Sequence, residues 1–251
     1  MKISIITAVY NRVDYISDAI KSINMQIFSA LEHVIIDGAS DDGTSEIVEN
    51  MRNASMIVVR EPDSGIYDAL NKGIGTATGD IIGLLHSDDM FGDAATVSRV
   101  AAMFQSSDVD GVYGDLEYVA KDDPSRVIRY WQAGEYTPEL LRCGWMPPHP
   151  TLFLRREVFE RYGVYDTSFR IAADYDAMLR WLTRGNLKLA YLPRVLVKMR
   201  VGGESNRSIG RILRKTSEDY RALRNNGVGG LSVLAAKNLS KIPQFLKRAE
   251  N

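Results

Sequence analysis

Gly79-Asp80-Ile81-Ile82-Gly83-Leu84-Leu85-His86-Ser87-Asp88-Asp89-Met90-Phe91 is the stretch on which the reading of this chain turns. Thr78-Gly79-Asp80 signals a turn. The apolar run Ile81 to Leu85 has the length of a strand buried on both faces. It stops at two adjacent carboxylates. A buried parallel strand ending in Asp-Asp sets negative charge at the carboxyl edge of a sheet, where open α/β sheets bind ligands. Two neighbouring carboxylates repel unless a cation lies between them and the ligand. Mg²⁺ or Mn²⁺ takes oxygen ligands and bridges carboxylates to phosphate oxygens. The competing reading makes Asp88 and Asp89 turn residues, with Asp93 capping the next helix.

Working outward, the same rhythm recurs. Ile3 to Val9 is a β-branched run closed by Tyr10-Asn11-Arg12. Asp14 is placed to cap a helix to about Met25, with Ile16, Ala19, Ile20 and Ile23 at helical spacing. His33 to Asp37 is a second buried strand, followed by Gly38-Ala39-Ser40-Asp41-Asp42-Gly43 and a helix capped by Thr44. Met56 to Val59 is a third strand. A loop from Glu61 then enters a short helix ending near Gly73. Strands alternating with helices predict a mostly parallel sheet joined by right-handed crossovers. In such a sheet Tyr10-Asn11, Asp37 and Asp88-Asp89 all fall on one edge.

The second half reads as a helix from Asp93 to Phe104, a strand from Gly111 to Leu116, an edge strand from Arg126 to Trp131 and a rigid loop at Trp145 to Pro150. Extended chain resumes at Thr151 to Leu154, and a helix follows from Arg155 to Tyr162. Ala172 to Asp176 leads into a helix from Ala177 to Leu182. Late strands are expected at Leu187 to Tyr191 and Val195 to Met199. Two helices follow, Ser208 to about Arg224 and Leu231 to Lys247.

The 251 residues have a hydrophobic share of 45%, a charged share of 25% and a net charge of −1, an ordinary globular composition that speaks against nucleic acid as a partner. The single cysteine, Cys143, excludes an internal disulfide, no apolar run is long enough to span a membrane, and the apolar start is too short for a secretion signal. A cytoplasmic protein is expected. Charge is uneven: Arg207 to Asn251 carries a net +7, leaving −8 for the rest. Leu234, Leu239, Ile242, Phe245 and Leu246 form an apolar stripe among Lys237, Lys241, Lys247 and Arg248. Such a helix either lies on an anionic membrane, here the inner face, or packs on the domain or a partner chain.

No dinucleotide fingerprint or Walker A sequence is present. Gly73-Ile74-Gly75-Thr76-Ala77-Thr78 lacks the third glycine and precedes a strand instead of following one. Phosphate charge must be met otherwise, and a metal on Asp89 meets that need.

Ser4-Ile5-Ile6-Thr7-Ala8-Val9-Tyr10-Asn11, Ile35-Ile36-Asp37-Gly38-Ala39-Ser40-Asp41-Asp42-Gly43-Thr44 and His86-Ser87-Asp88-Asp89 together resemble family 2 glycosyltransferases of the GT-A fold. Pro62-Asp63-Ser64-Gly65-Ile66-Tyr67-Asp68-Ala69-Leu70-Asn71-Lys72-Gly73 is similar to the branch that builds bacterial exopolysaccharides and O-antigens. The resemblance covers about residues 1–206. It implies a Rossmann-like α/β domain with a nucleotide-binding half (1–110) and an acceptor half (111–206), leaving 207–251 as a basic helical tail. It further implies that Thr7, Ala8, Tyr10 and Asn11 line the nucleoside pocket and that Asp37 meets the base edge. Asp68, Asn71 and Lys72 would face the donor ribose, phosphates or sugar. Asp88 would hold hydroxyls, Asp89 the divalent metal, and Asp174 in Ala173-Asp174-Tyr175-Asp176 would be the catalytic base. Many members carry Glu where Ala173 stands. The processive members' Gln-x-x-Arg-Trp signature is absent, so one sugar per acceptor is expected.

The expected reaction is transfer from a nucleotide-sugar, a UDP-sugar first, to a saccharide or polyprenyl-linked acceptor. A carboxylate takes the proton of the attacking hydroxyl. A metal stabilises the leaving diphosphate, and direct displacement inverts the anomeric centre. Asp174 could alternatively cap the helix from Ala177. His149, Trp145, Arg200 and the Gly202-Gly203-Glu204-Ser205 loop are secondary candidates. The rival functions are a sugar nucleotidyltransferase, which should open with a Gly-rich basic loop that Ala8 to Arg12 does not supply, and a non-catalytic nucleotide-sugar binder.

Overall fold

The computed structural model describes residues 1–201 and 209–239. Strands β1 (Ile3–Val9), β2 (Leu31–Asp37), β3 (Met56–Arg60) and β4 (Ile81–Leu84) are parallel neighbours in the order β3-β2-β1-β4. The chain therefore winds outward from β1 to β3 and then returns to the other side of β1. The crevice between the carboxyl ends of β1 and β4 is the switch point of the sheet, where such sheets receive ligands. β1 is buried along its whole length, as its apolar run requires.

Beyond β4 the sheet becomes mixed. β8 (Phe153–Arg155) runs antiparallel to β4 and to β6 (Gly111–Val119), which in turn pairs in parallel with β9 (Leu189–Arg200). β5 (Met90–Phe91) closes one end against β9, and β7 (Val127–Trp131) is an edge partner of β6. The two expected late strands are one strand. Pro193 and Arg194 are absorbed by register shifts around Gly114 and Asp115 of β6. Gly114 permits them, because a Cβ there would meet the Leu196 side chain and the carbonyls of Leu192 and Arg194.

Helices α1 (Ile16–Asn24) and α4 (Thr96–Ser106) cover one face, with Ala19, Ile23, Val97, Val100 and Phe104 against Ile3, Ile5 and Leu116. α3 (Ile66–Thr76), longer than the sequence suggested, lies on the other face through Ala69, Leu70 and Ile74. It comes close because Gly73 rests against the Ile6 side chain. α5 (Arg156–Tyr162) and α6 (Ala173–Arg184) extend that second core around the fully buried Trp181.

Several expected helix starts shift. α1 begins at Ile16 with no side-chain cap from Asp14. α2 (Thr44–Asn50) has Gly43 at its N-cap, at φ +99°, and Thr44 lies inside the helix with its N–H donated to Asp42 at 3.0 Å. α4 starts at Thr96, not Asp93, whose carboxylate accepts from Ala95 N and Arg99. α6 starts at Ala173, so Asp174 sits in its first turn and not at a cap for Ala177.

The tail packs on the domain as far as it is described. α7 (Ile209–Asn225) buries Ala222 and Leu223 completely, and α8 (Leu231–Leu239) buries Val233, Leu234 and Lys237. Lys237 pairs with Asp219 at 2.8 Å and lies 3.3 Å over the Tyr175 ring. The remaining stripe residues, Ile242, Phe245 and Leu246 with Lys241, Lys247 and Arg248, and the Gly202 to Ser205 loop, lie outside the described residues. Among the described residues no helix is long and apolar enough to cross a membrane.

Candidate active site

A cavity of about 780 Å³ opens at the switch point, within the range of small-molecule sites. Its walls come from the loop after β1 (Ala8 to Arg12), the loop after β4 (His86 to Asp89), the start of α3, the segment entering α6 with Asp174, the end of β9 and the start of α7.

The loop after β1 is held by the loop after β2. Asn11 takes φ +50°, a conformation its short polar side chain tolerates, and exchanges hydrogen bonds with Asp41 at 2.9 and 3.0 Å. Ser40 Oγ accepts Asn11 N, Thr44 Oγ1 accepts Arg12 N and Asp42 accepts Val13 N. Asp37 anchors this lattice. It accepts Ser40 N at 2.9 Å, Ser40 Oγ at 2.6 Å and Ser45 Oγ, and is 1% exposed. Its carboxylate is thus used inside the protein and not offered to a base edge. The Ile35 to Thr44 motif is mainly scaffold: it presents Tyr10, 56% exposed at the cavity wall.

Alternation along β1 sends Ala8 to the cavity and Thr7 to the opposite face, where its hydroxyl meets His33 Nε2 at 3.0 Å in full burial. Three more expected donor contacts lie outside the cavity. Asp68 accepts Ser64 N, Lys72 pairs with Glu61 at 2.9 Å and donates to Pro62 O, and Asn71 brackets the backbone of Tyr165 at 2.8 and 2.9 Å. From α3 the first-turn residues Ile66, Tyr67 and Ala69 line the cavity, while Asp68, Asn71 and Lys72 bond to neighbouring loops; Asn71 shares the Tyr67 face but stands one turn further along the helix.

Asp88 and Asp89 both line the cavity. Asp89 is 1% exposed, its Oδ1 accepts Arg200 N at 3.2 Å, and its Oδ2 has no hydrogen-bond partner. Burial, and then the neighbouring Asp88, push its carboxyl well above the usual carboxylate range. An orphaned buried carboxylate oxygen at a cavity wall is the donor a divalent cation would complete. No group of three or more His, Cys, Asp or Glu side chains able to hold a metal occurs among the described residues. A cation here would take Asp89, with Asp88 beside it, and fill its remaining positions from phosphate and water, as Mg²⁺ commonly does. Arg200 braces the loop, donating to the Asp88 carbonyl at 2.9 Å and pairing with Asp18 at 2.6 Å.

Asp174 is also a wall residue, its Oδ1 3.1 Å from the hydroxyl of Tyr67, which also donates to Ile171 O at 2.6 Å. Burial, and then Asp174, hold the Tyr67 phenol well above its ordinary range. His149 is a wall residue whose Nε2 meets the Tyr165 hydroxyl at 2.9 Å. Burial lowers its imidazole to about 4, so it is neutral at pH 7 and offers no charge to phosphate. His86 is also lowered by burial, against the pull of Asp88 and Asp174. Trp145 is packing: it stacks on Tyr136 with centroids 5.2 Å apart and donates to Ala133 O.

The cavity also takes Arg12, Asp63, Arg170, Arg211 and Arg214. Sequence reasoning missed them, apart from quoting Asp63 in a motif. Asp63 had a usable signal: it precedes the Gly65 turn at φ +124°, and a Cβ on Gly38 would strike its carboxylate, which places it beside Tyr10. Arg12 closes the first strand's polar cluster, whereas Arg170, Arg211 and Arg214 come from segments with no pattern of their own.

A family model described as glycosyl transferase family 2 matches residues 4–163. A PGL/p-HBAD biosynthesis glycosyltransferase of Mycobacterium bovis is 30% identical over 81% of this chain and 78% of its own length. A Nostoc glycosyltransferase is 30% identical over 82% of this chain and 66% of its own. Among solved structures, S. aureus TarS 1-349 with UDP-GlcNAc superposes with a TM-score of 0.70 at 19% identity, over 91% of this chain and 66% of that one. The longer TarS chain is spanned to only 39% of its length. Pyrobaculum calidifontis mannosyltransferase PcManGT, with GDP-Man and Mn²⁺, gives 0.68 at 20% identity over 97% of this chain and 70% of that one. The structural likenesses carry the GT-A fold; the family match and the 30% relatives carry the activity class, and on them this chain belongs to glycosyl transferase family 2.

Proposed function

We propose that this glycosyltransferase moves a single sugar from a nucleoside-diphosphate donor, a UDP-sugar first, to an acceptor hydroxyl with inversion and with a divalent cation. One observation carries the reading. Carboxylates from the loop after β4 and from the first turn of α6, about 85 residues apart in the chain, line the same cavity.

Tyr10, Asn11 and Asp63 take the nucleoside end of the donor, beside the scaffold that fixes their loops. Asp88 takes hydroxyls of ribose or sugar. Asp89, with Asp88 beside it, would hold Mg²⁺ or Mn²⁺, which would supply Lewis-acid stabilisation of the departing diphosphate. Asp174 accepts the proton of the acceptor hydroxyl as that oxygen bonds to the anomeric carbon and the bond from that carbon to the phosphate oxygen breaks. With one base and direct displacement, the product has the opposite anomeric configuration. Tyr67 holds Asp174 by its hydroxyl, leaving Oδ2 for the acceptor.

The acceptor is read as a saccharide on an anionic carrier, of the polyprenyl-linked kind. Arg170, Arg211 and Arg214 line the same cavity as Asp174, and Ile212 and Leu213, 50% and 66% exposed, lie between the last two on α7. That pairing of basic and apolar residues suits a membrane surface. Flotation with anionic but not neutral vesicles is expected; no flotation with either overturns this placement.

The central test uses the full chain with a panel of nucleotide sugars. Donor hydrolysis or transfer should require added Mg²⁺ or Mn²⁺ and cease on chelation. Asp174→Asn should retain donor binding by calorimetry and lose transfer by about 10²–10⁴-fold. Full transfer by that variant removes Asp174 from the role.

A further inference from the structure

Helix α6 starts without a side-chain cap. Its N-cap is Ala172, which has no polar side chain, and the N–H groups leading into the helix need acceptors from elsewhere. They find one 46 residues downstream. Glu218, on α7, accepts Ile171 N at 2.8 Å and Ala172 N at 3.0 Å through Oε2, and Arg170 N at 3.1 Å through both oxygens. Its negative charge also faces the positive end of α6.

The Ile171 carbonyl is taken from another element: it accepts the Tyr67 hydroxyl at 2.6 Å, the same hydroxyl that lies 3.1 Å from Asp174 Oδ1. Residues 170–172 are therefore clamped between Glu218 of α7 and Tyr67 of α3, with Asp174 two positions along. Further contacts, from the residue just past α7 and from α8, reach the two residues after Asp174. Asn226 donates to Asp176 at 2.9 Å. Lys237, which pairs with Asp219, covers the Tyr175 ring.

We infer that Glu218 is a positioning residue for the transfer reaction, setting where the Asp174 carboxylate stands relative to the acceptor hydroxyl. The inference rests on the proposed role of Asp174. It makes α7 part of the catalytic apparatus, although α7 lies outside the stretch the family model matches. Local motifs could not supply this grip. Ala172 and Ala173 have no hydrogen-bonding side chains, so a carboxylate from elsewhere must satisfy the segment.

Glu218→Ala should lower kcat by roughly 10–100-fold, the scale of a catalytic group displaced by about an ångström, with donor Kd and donor KM within about twofold of wild type. Glu218→Gln keeps one acceptor oxygen and should fall between the two. Amide hydrogen exchange should quicken at residues 170–172 in Glu218→Ala while β1 stays protected. In an Asp174→Asn background, Glu218→Ala should add no further loss to residual donor hydrolysis, because both changes act through one carboxylate. A folded Glu218→Ala protein with wild-type kcat, or an equal fractional loss in both backgrounds, overturns the inference. If Glu218→Ala does not fold, Glu218→Asp takes its place, its carboxylate drawn back by one methylene. Fast exchange at 170–172 with undiminished kcat there overturns the inference equally. Full activity in Asp174→Asn alone overturns the base assignment beneath it, and so separates that failure from one of Glu218.

Discussion

The two walls of the cavity are built by different means. On the side proposed to take the donor, residues 11–13 are held by side chains of residues 40–44, a short lattice between two consecutive strand ends. Every side chain that does the holding, from Asn11, Ser40, Asp41, Asp42 and Thr44, is small and polar. On the side proposed to carry the base, Asp174 meets Tyr67 of α3 and follows a segment whose N–H groups are accepted by Glu218 of α7, partners brought by packing alone. The first wall is a local structure that the fold displays; the second exists only once distant helices have docked. Damage to the first should therefore be read mainly as lost stability, and damage to the second mainly as lost turnover.

The loop after β4, which the proposed function makes the metal site, gives the largest expected change. Asp89→Asn removes one carboxylate oxygen and the negative charge, and should cut metal-dependent transfer by about 10²–10³-fold with little loss of melting temperature. Activity within a few fold of wild type across a Mn²⁺ titration would take Asp89 out of the metal role.

Asp37 probes the donor-side lattice. Asp37→Ala leaves Ser40 and Ser45 donors unpartnered in a buried setting, and should cost about 3 kcal/mol in urea unfolding. The folded fraction should keep kcat within about threefold. A wild-type midpoint with lost donor binding would reverse the assignment and return Asp37 to the ligand.

β2 carries a pH signature. Burial lowers His33 to about 3. Burial alone would raise Glu32, but hydrogen bonds from Lys2, Ser4 and Thr78 outweigh it and bring its carboxyl down to about 2. Both folded values lie below their unfolded ones, so both stabilise at neutral pH and lose that contribution as pH falls. Stability should be level above about pH 7 and drop by on the order of 3 kcal/mol by about pH 4, His33 acting first and Glu32 below about pH 4.5. His33→Gln should flatten the upper part of that limb; an unchanged slope between about pH 6.5 and 4.5 removes His33 as its source.

The smallest effect sharpens the base side. Tyr67→Phe deletes the hydroxyl between Ile171 O and Asp174, and should lower kcat by about tenfold at constant donor KM. A rise in donor KM with kcat unchanged would place Tyr67 in binding instead.

Much of the first half was legible because β-branched runs, glycine turns and strand-end carboxylates speak through their own neighbours. β1 to β4, and Asp88 and Asp89 at the edge, follow from that pattern. Placement within it did not. Thr7, Asp37, Asp68, Asn71 and Lys72 were expected to meet the donor, and each has its polar atoms bonded elsewhere. Which face of β1 or α3 looks into the cavity depends on what packs on the other face, and one sequence does not say. The merged β9 was hidden by Pro193, which suggested a break where Gly114 across the ladder absorbs the shift.

From its residues alone, the chain determined an alternating α/β sheet with acidic strand ends and a separate carboxylate at the head of a later helix, since periodicity and turn chemistry are local. Tertiary structure decided which of those polar groups face one another, that the basic tail packs on the body as far as Leu239, and that Glu218 takes the N–H groups of residues 170–172 ahead of α6. Those outcomes depend on long-range packing, in which burial satisfies some donors internally and leaves others, such as Asp89 Oδ2, turned toward a ligand.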